Sequence, residues 1–380
     1  MKRFFYIGIA GLVLFEILNV YFIMPMPSSQ RMNSIDWAYF LYTGRWVFRA
    51  LFGAAIALGF WAAFRSGRWW TLGSLVVVGA VVYAFNFEMA ADQMFSQPEQ
   101  LRMADSKTNK VKPDKLIVGI FLNGQAKAYP IQLIGYHHQV RDTVGGKPVM
   151  VTYCTVCRTG RIFEPVVDGK PETFRLVGMD HFNAMFEDAT TGSWWRQATG
   201  EAVTGPCKGK SLPELPAQQT SLRKWLALHP SSLVMQPDAA FEEEYQGMLT
   251  YETGKGKSDL TRTDSLSWRD KSWVVGVAVG KASKAFDWNR LKKERIIHDQ
   301  VGNKPIVLVL ASDQKSFFVF ERPSPAARFF LKNDTLVTST QTYLLTGEAT
   351  AANVPLLTRI NAYQEFWHSW RTFHPNTEMY

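Results

Sequence analysis

Residues 142–160 read Asp-Thr-Val-Gly-Gly-Lys-Pro-Val-Met-Val-Thr-Tyr-Cys-Thr-Val-Cys-Arg-Thr-Gly. The turn Gly145-Gly146-Lys147 separates two strand-patterned segments, His138–Val144 and Pro148–Cys154, so the stretch is a β-hairpin. Its second strand delivers Cys154 and Cys157 into the following turn. These are two of only three cysteines in 380 residues. Thiolates at Cys-x-x-Cys spacing can share one soft metal ion or cycle between dithiol and disulfide.

The hairpin occurs twice. Val118–Glu164 can be laid without gaps on Val275–Glu321 at a constant offset of 157 positions, with eleven identities in 47. Asp142/Asp299, Val144/Val301, Gly145/Gly302, Lys147/Lys304 and Pro148/Pro305 lie at the centre of the match. Thr199-Gly200-Glu201-Ala202 and Trp225…His229-Pro230 then return as Thr346-Gly347-Glu348-Ala349 and Trp370…His374-Pro375. Two copies of one mostly-β unit are expected, each too long for a solenoid repeat. Further hairpins are expected at Leu116–Leu122/Gln125–Tyr129 and Arg161–Val166/Thr173–Val177, and helical pattern near Ser221–Leu228 and Tyr363–Thr372. The second copy lacks the chemistry of the first: Cys154 falls on Ala311, Cys157 on Gln314, and His137 and His138 on Glu294 and Arg295.

Towards the N-terminus the pattern changes. Apolar runs at about 5–24, 47–64 and 72–89 each approach the roughly 20 residues of a membrane-crossing helix. The first is too long for a signal peptide and lacks a small-x-small cleavage site, so it reads as a retained helix. Lys2, Arg3, Arg65 and Arg68 place the N-terminus in the cytoplasm by the positive-inside rule. Everything after about residue 95 is then exported, giving an inner (cytoplasmic) membrane protein with a periplasmic C-terminal region and the lipid bilayer as its first partner. Arg45 and Arg49 are expected to snorkel. Glu16 is expected to make a helix–helix hydrogen bond, and Gly53 with Ala57 to permit close helix packing.

The expected fold class is therefore a three-helix transmembrane region followed by a β-rich α+β exported region of two duplicated units. The boundaries are 1–95 for the helices, 96–115 for a linker, 116–235 for the first unit, 236–270 for a second linker and 271–380 for the degenerate unit. The net charge of +9 is spread in short clusters with no nucleic-acid motif, which suits a solvated surface or one facing anionic lipid. No serine–histidine–acid arrangement, phosphate loop or paired-carboxylate motif stands out, so spacing alone does not decide whether the chain is an enzyme.

The pattern Gly-x-x-x-x-Gly-x-Ala-x-Ala-Tyr-Pro, His137, Asp-Thr-Val-Gly-Gly-x-Pro-Val, Val-Thr-Tyr-Cys-x-x-Cys-x-Thr-Gly and Thr-Gly-Ser-x-Trp-x-Gln-x-Thr-Gly-Glu-Ala resembles bacterial domain-of-unknown-function family three-one-seven-nine. Its members are often exported or membrane-anchored. The resemblance is close over residues 116–235 and loose over the second copy. It places His137 on the family's histidine and His138 where the family has a glutamate. Cys207 has no counterpart there.

The metal-site expectation is Cys154 and Cys157 with His137, holding copper(I) or, next, zinc. Antiparallel pairing about the Gly145-Gly146 turn would set residues 137–139 opposite 152–154. His138, Met179, His181 and Cys207 are further candidate ligands. Trp194, Trp195 and Gln197 either line a ligand pocket or pack a core, the second being commoner. Arg158 after Cys157 disfavours covalent haem. A thiol–disulfide oxidoreductase is the alternative reading, although Arg158–Val166 reads as turn and strand where a thioredoxin motif would start a helix. A scaffold or structural subunit of a membrane complex is the third.

Overall fold

The computed structural model describes residues 1–256 and 258–380. They form two compact units. One comprises Met1–Ser96, Glu172–Arg196 and Glu201–Ser211; the other comprises Gln97–Pro171, Gln197–Gly200 and Leu212–Tyr380.

Among the described residues, three helices are long and apolar enough to cross a membrane: Lys2–Tyr21, Arg45–Ser66 and Arg68–Glu88. A shorter helix, Ile35–Thr43, precedes the second of these. Glu16 is fully buried and makes the expected helix–helix hydrogen bond, although with more than one partner. Arg49 Nε and Nη2 donate to its two oxygens at 2.7 and 2.9 Å, and Asn86 Nδ2 donates at 2.9 Å. A carboxylate deep in an apolar bundle is too costly alone, so Arg49 turns inward to neutralise it rather than snorkelling. Close helix approach also falls elsewhere than expected. A Cβ on Gly59 would lie 2.2 Å from Phe5 N, whereas one on Gly53 would meet nothing within 4 Å.

The same unit holds an antiparallel sheet in the order Ala202–Thr204, Trp194–Arg196, Asn183–Asp188, Phe174–Asp180. Sequence boundaries put these strands in the first β-rich unit. They cluster with the helices because Val177, Met185, Trp194 and Val203 share a core with Ile23 and Ala38. Tyr39 and Tyr42 pack on Trp194, and the Met179 N–H donates to Ile23 O at 2.8 Å.

In the sheet-rich unit, strands Leu116–Leu122 and Gln125–Pro130 lead into helix Ile131–His137 and then strands Gln139–Val144, Lys147–Cys154 and Thr159–Phe163. The same order of elements is found at Trp273–Val279, Ala282–Asp287, Trp288–Glu294, Ile296–Val301, Lys304–Leu310 and Phe317–Glu321. Helix Ile131–His137 is absent from the strand-based reading. Pro130 starts it with φ −60°, buried Ile131, Leu133 and Ile134 hold it down, and His138 at φ +60° ends it. His138 is therefore a left-handed cap, and the strand begins at Gln139. Gly145 and Gly146, at φ +55° and +78°, make the two-residue turn between Val144 and Lys147.

An ion pair joins strand Gln125–Pro130 to Gln139–Val144, Lys127–Asp142 at 2.8 Å, and another joins Ala282–Asp287 to Ile296–Val301, Lys284–Asp299 at 2.9 Å. The hairpins Leu116–Pro130 and Trp273–Asp287 each pass beneath a tryptophan on a closing helix. Trp225 lies on Leu222–Leu228 over Gly119, and Trp370 on Trp367–Phe373 over Gly276. The expected helical start at Tyr363 is instead strand Ala362–Phe366, because Tyr363–Phe366 pairs with Trp273–Gly276.

The two segments read as linkers contribute to the folded unit. Met103–Ala104 pairs with Leu233–Met235. Phe241, Tyr245 and Tyr251 are buried against Leu133 and Ile134 in one core. Aromatic side chains spaced through a polar segment bury enough apolar surface to order it.

Candidate functional site

Cys154 ends the strand Lys147–Cys154, which lies between Gln139–Val144 and Thr159–Phe163. Thr155–Arg158 form the turn back, with Arg158 at φ +59°, and Cys154 pairs with Thr159 across it. Both thiols are buried, Cys154 at 1% and Cys157 at 0% exposure. The turn is held mainly by residues far away in sequence. Tyr251 donates its hydroxyl to Thr155 O at 2.9 Å, Lys271 Nζ donates to Val156 O at 2.8 Å, and the Phe366 N–H donates to Cys157 O at 2.9 Å.

Arg158 is 1% exposed and forms no carboxylate ion pair among the described residues. Its Nε donates to Gln364 Oε1 at 3.0 Å, its Nη2 to Glu252 O at 3.0 Å, and its guanidinium lies 3.6 Å from the centroid of Trp273. Hydrogen bonds from a charged donor contribute about 1.5–3 kcal/mol each, so this arginine fixes the exit of the turn. Below it, Arg161 Nη2 and Thr159 Oγ1 both donate to Glu365 Oε1, at 2.7 and 2.8 Å. Gln197 Nε2 donates to Thr152 Oγ1 and Thr159 O.

Lys271 supplies the site's electrostatics. Burial lowers its ammonium pKa from 10.5 to about 8, while the thiols of Cys157 and Cys154 oppose that fall. The coupling is mutual: a lysine charge that thiolates stabilise also favours those thiolates. His368 stands beside it, with Nε2 at 3.2 Å from Lys271 Nζ and 3.1 Å from Val156 O. Burial lowers its pKa to about 4, with the Lys271 charge acting in the same direction. The imidazole is therefore neutral at neutral pH. One ring nitrogen cannot accept from the ammonium and donate to the carbonyl at once, so the proton on Lys271 decides which contact His368 makes.

The candidate ligands are distributed as follows. His137 is fully buried, its Nε2 is 2.7 Å from the Tyr245 hydroxyl, and its ring packs against Phe241. Coordination through His137 Nε2 would break that contact. His138 Nδ1 is 2.9 Å from Tyr136 O, and burial holds its pKa at about 4. The backbone register follows the hairpin: Gln139 faces Thr152, and the Tyr153 N–H donates to His138 O at 2.9 Å.

Met179, His181 and Cys207 belong to the helical unit. His181 Nδ1 meets Asp180 at 2.6 Å, and the Cys207 N–H donates to Ser193 Oγ at 2.9 Å. Trp194 and Trp195 are buried, with indole N–H groups donated to Glu187 and Asp188. That is core packing with satisfied polar tips. Among the described residues, no group of three or more His, Cys, Asp or Glu is arranged to hold a metal ion. Lys271, His368 and Tyr251 were not singled out from the sequence. Nothing local to them signals the turn, which the fold brings to them across about a hundred residues or more.

Helices of membrane-crossing length joined to a sheet-rich region with a buried Cys-x-x-Cys turn define a class of two-part protein. A family model described as a protein of unknown function (DUF3179) matches residues 96–377. The chain belongs to that family. No curated protein and no solved structure gives a significant match.

Proposed function

We propose that the chain is a membrane-anchored protein of the inner membrane, N-terminus in the cytoplasm, whose exported sheet-rich region binds one copper(I) ion at Cys154 and Cys157. His137 is the candidate third ligand, and zinc is the second choice of ion. The observation that supports this reading is a buried thiol pair under the electrostatic influence of a half-buried lysine, Lys271. A copper(I) ion on two thiolates bears one net negative charge, and an ammonium neutralises it in a low-dielectric site. Zinc prefers four ligands, usually with cysteine or histidine completing the set. Soft thiolates with few additional donors suit copper(I) better.

The repeated order of elements supports a further part of the proposal, that the sheet-rich region arose by duplication and kept reactive groups in one copy. Helices Ile131–His137 and Trp288–Glu294 keep the offset of 157 at both ends. Left-handed caps follow at His138 and Arg295. In this reading the second copy supplies Lys271 and His368 to the turn of the first.

The dithiol–disulfide alternative draws on the same lysine, which favours thiolate. Burial of both sulfurs weighs against exchange with a bulky protein partner, but not against entry of an ion. The test is copper(I) titration of the full chain in detergent against a chromophoric chelator. One equivalent is expected, lost in Cys154→Ser and Cys157→Ser. Wild-type protein that takes up no more copper(I) than the two variants refutes the reading. A C-terminal reporter active only in the cytoplasm tests the orientation and should stay silent.

A further inference from the structure

Arg158 connects the cysteine turn to a cavity of about 310 Å³ in the sheet-rich unit, lined by Lys115, Glu252, Trp273, Trp288, Lys315 and Gln364 among others. Its guanidinium touches three of these residues: the Gln364 side chain, the Glu252 carbonyl and the Trp273 ring. The volume lies at the lower end of the roughly 300–1,000 Å³ typical of small-molecule sites. A single ring fits such a space better than a polymer.

Glu252 states what a ligand must bring. The residue is 8% exposed; its Oε2 accepts the Leu116 N–H at 3.2 Å, and its Oε1 has no hydrogen-bond partner among the described residues. A buried acceptor left unmet is costly, so an occupant with an O–H or N–H donor gains there. The cavity's charge states a second requirement. Lys115, Lys292 and Lys315 face two carboxylates, Asp114 and Glu252, and Arg158 adds another cation behind them. An occupant therefore carries an anionic group. A third requirement comes from Trp273 and Trp288, whose ring centroids are 6.0 Å apart at 58° and form an apolar wall for a C–H face.

We propose that this cavity binds an acidic monosaccharide, a hexuronate-like ring. A ring hydroxyl donates to Glu252 Oε1, the carboxylate faces the lysines, and the C–H face lies against the two tryptophans. Galactose-like and glucose-like stereochemistry share these elements, so the class is defined by acid, hydroxyl and apolar face together. The inference is independent of the metal reading.

The experiment is saturation-transfer NMR on the full chain in detergent micelles with D-glucuronate, D-galacturonate, D-glucose and inorganic phosphate. At least one hexuronate should receive saturation at its ring protons and bind at least tenfold more tightly than glucose, and equimolar phosphate should not displace it. Glu252→Gln should weaken binding at least fivefold. Lys292→Gln, at an exposed helix position that folding tolerates, should weaken the hexuronate and leave glucose unchanged. No transfer from either hexuronate, equal affinity for glucose, displacement by phosphate, or an unchanged Lys292→Gln protein each overturns the proposal.

Discussion

Replacing Lys271 by methionine removes a cation that is coupled to both cysteines of the turn. The fall of its pKa from 10.5 to about 8 corresponds to about 3 kcal/mol at about 1.4 kcal/mol per pH unit. Its sign follows from where the proton sits. Below about pH 8 the lysine is charged in both folded and unfolded chains, and the full burial cost weighs on the folded one. Between about pH 8 and 10.5 the folded chain has released the proton and the unfolded chain has not. The unfolded chain then binds more protons, so stability rises with pH. Above 10.5 both are neutral and the cost is gone. Urea unfolding of wild type and Lys271→Met, followed by tryptophan fluorescence in detergent, should therefore diverge. Wild type gains about 3 kcal/mol relative to the variant across that window, on top of a pH-independent difference from the lost bonds to Val156 O and Leu260 O. The thiols should also ionise at higher pH in the variant, read as thiolate ultraviolet absorbance. Parallel stability curves together with unchanged thiol ionisation would refute the electrostatic link between Lys271 and the turn.

Burial holds His138, His229, His368 and His374 each at a pKa of about 4. Their contribution is present above pH 6.5 and lost as pH falls towards 4, so near-ultraviolet dichroism of the sheet-rich unit should report unfolding in that interval; stability flat to pH 4 contradicts this. Gly119→Ala and Gly276→Ala place a methyl within 2.6 Å of Trp225 and 2.2 Å of Trp370. Each should cost about 1–3 kcal/mol in urea unfolding by overpacking, and a neutral result would mean that the tryptophan moves freely. Glu16→Leu leaves the partly buried Arg49 without its carboxylate and should cost about 3–5 kcal/mol, whereas Glu16→Leu with Arg49→Leu should recover most of that loss. Detergent denaturation of the helical unit measures both; a double variant as weak as the single one rules out the ion-pair account.

Much of the architecture is legible in the chain because it is encoded locally. Three apolar runs announce three long helices, and Asn123-Gly124 and Gly145-Gly146 announce hairpins through the positive φ that both residues of each turn adopt. Helix Ile131–His137 is hidden because seven residues with three apolar anchors resemble a strand as much as a helix. The association of strands Phe174–Asp180 to Ala202–Thr204 with the helices is also hidden, since it depends on Trp194 meeting Tyr39 and Tyr42 from a distant part of the chain. The cysteines were visible by their spacing. Their surroundings were not: Arg158 reads as an ordinary turn residue until Tyr251, Glu252 and Gln364 close over it, and Lys271 reads as a surface lysine until the fold half-buries it against Val156.

The most direct test of the central claim is X-ray absorption at the copper edge on the full chain loaded with one equivalent of copper(I). The account requires two sulfur neighbours at thiolate bond length, about 2.2–2.3 Å by analogy with zinc–thiolate bonds, and their loss when Cys154 and Cys157 are both serine. A copper ion surrounded only by nitrogen or oxygen, or a spectrum that the double serine variant leaves unchanged, would contradict it.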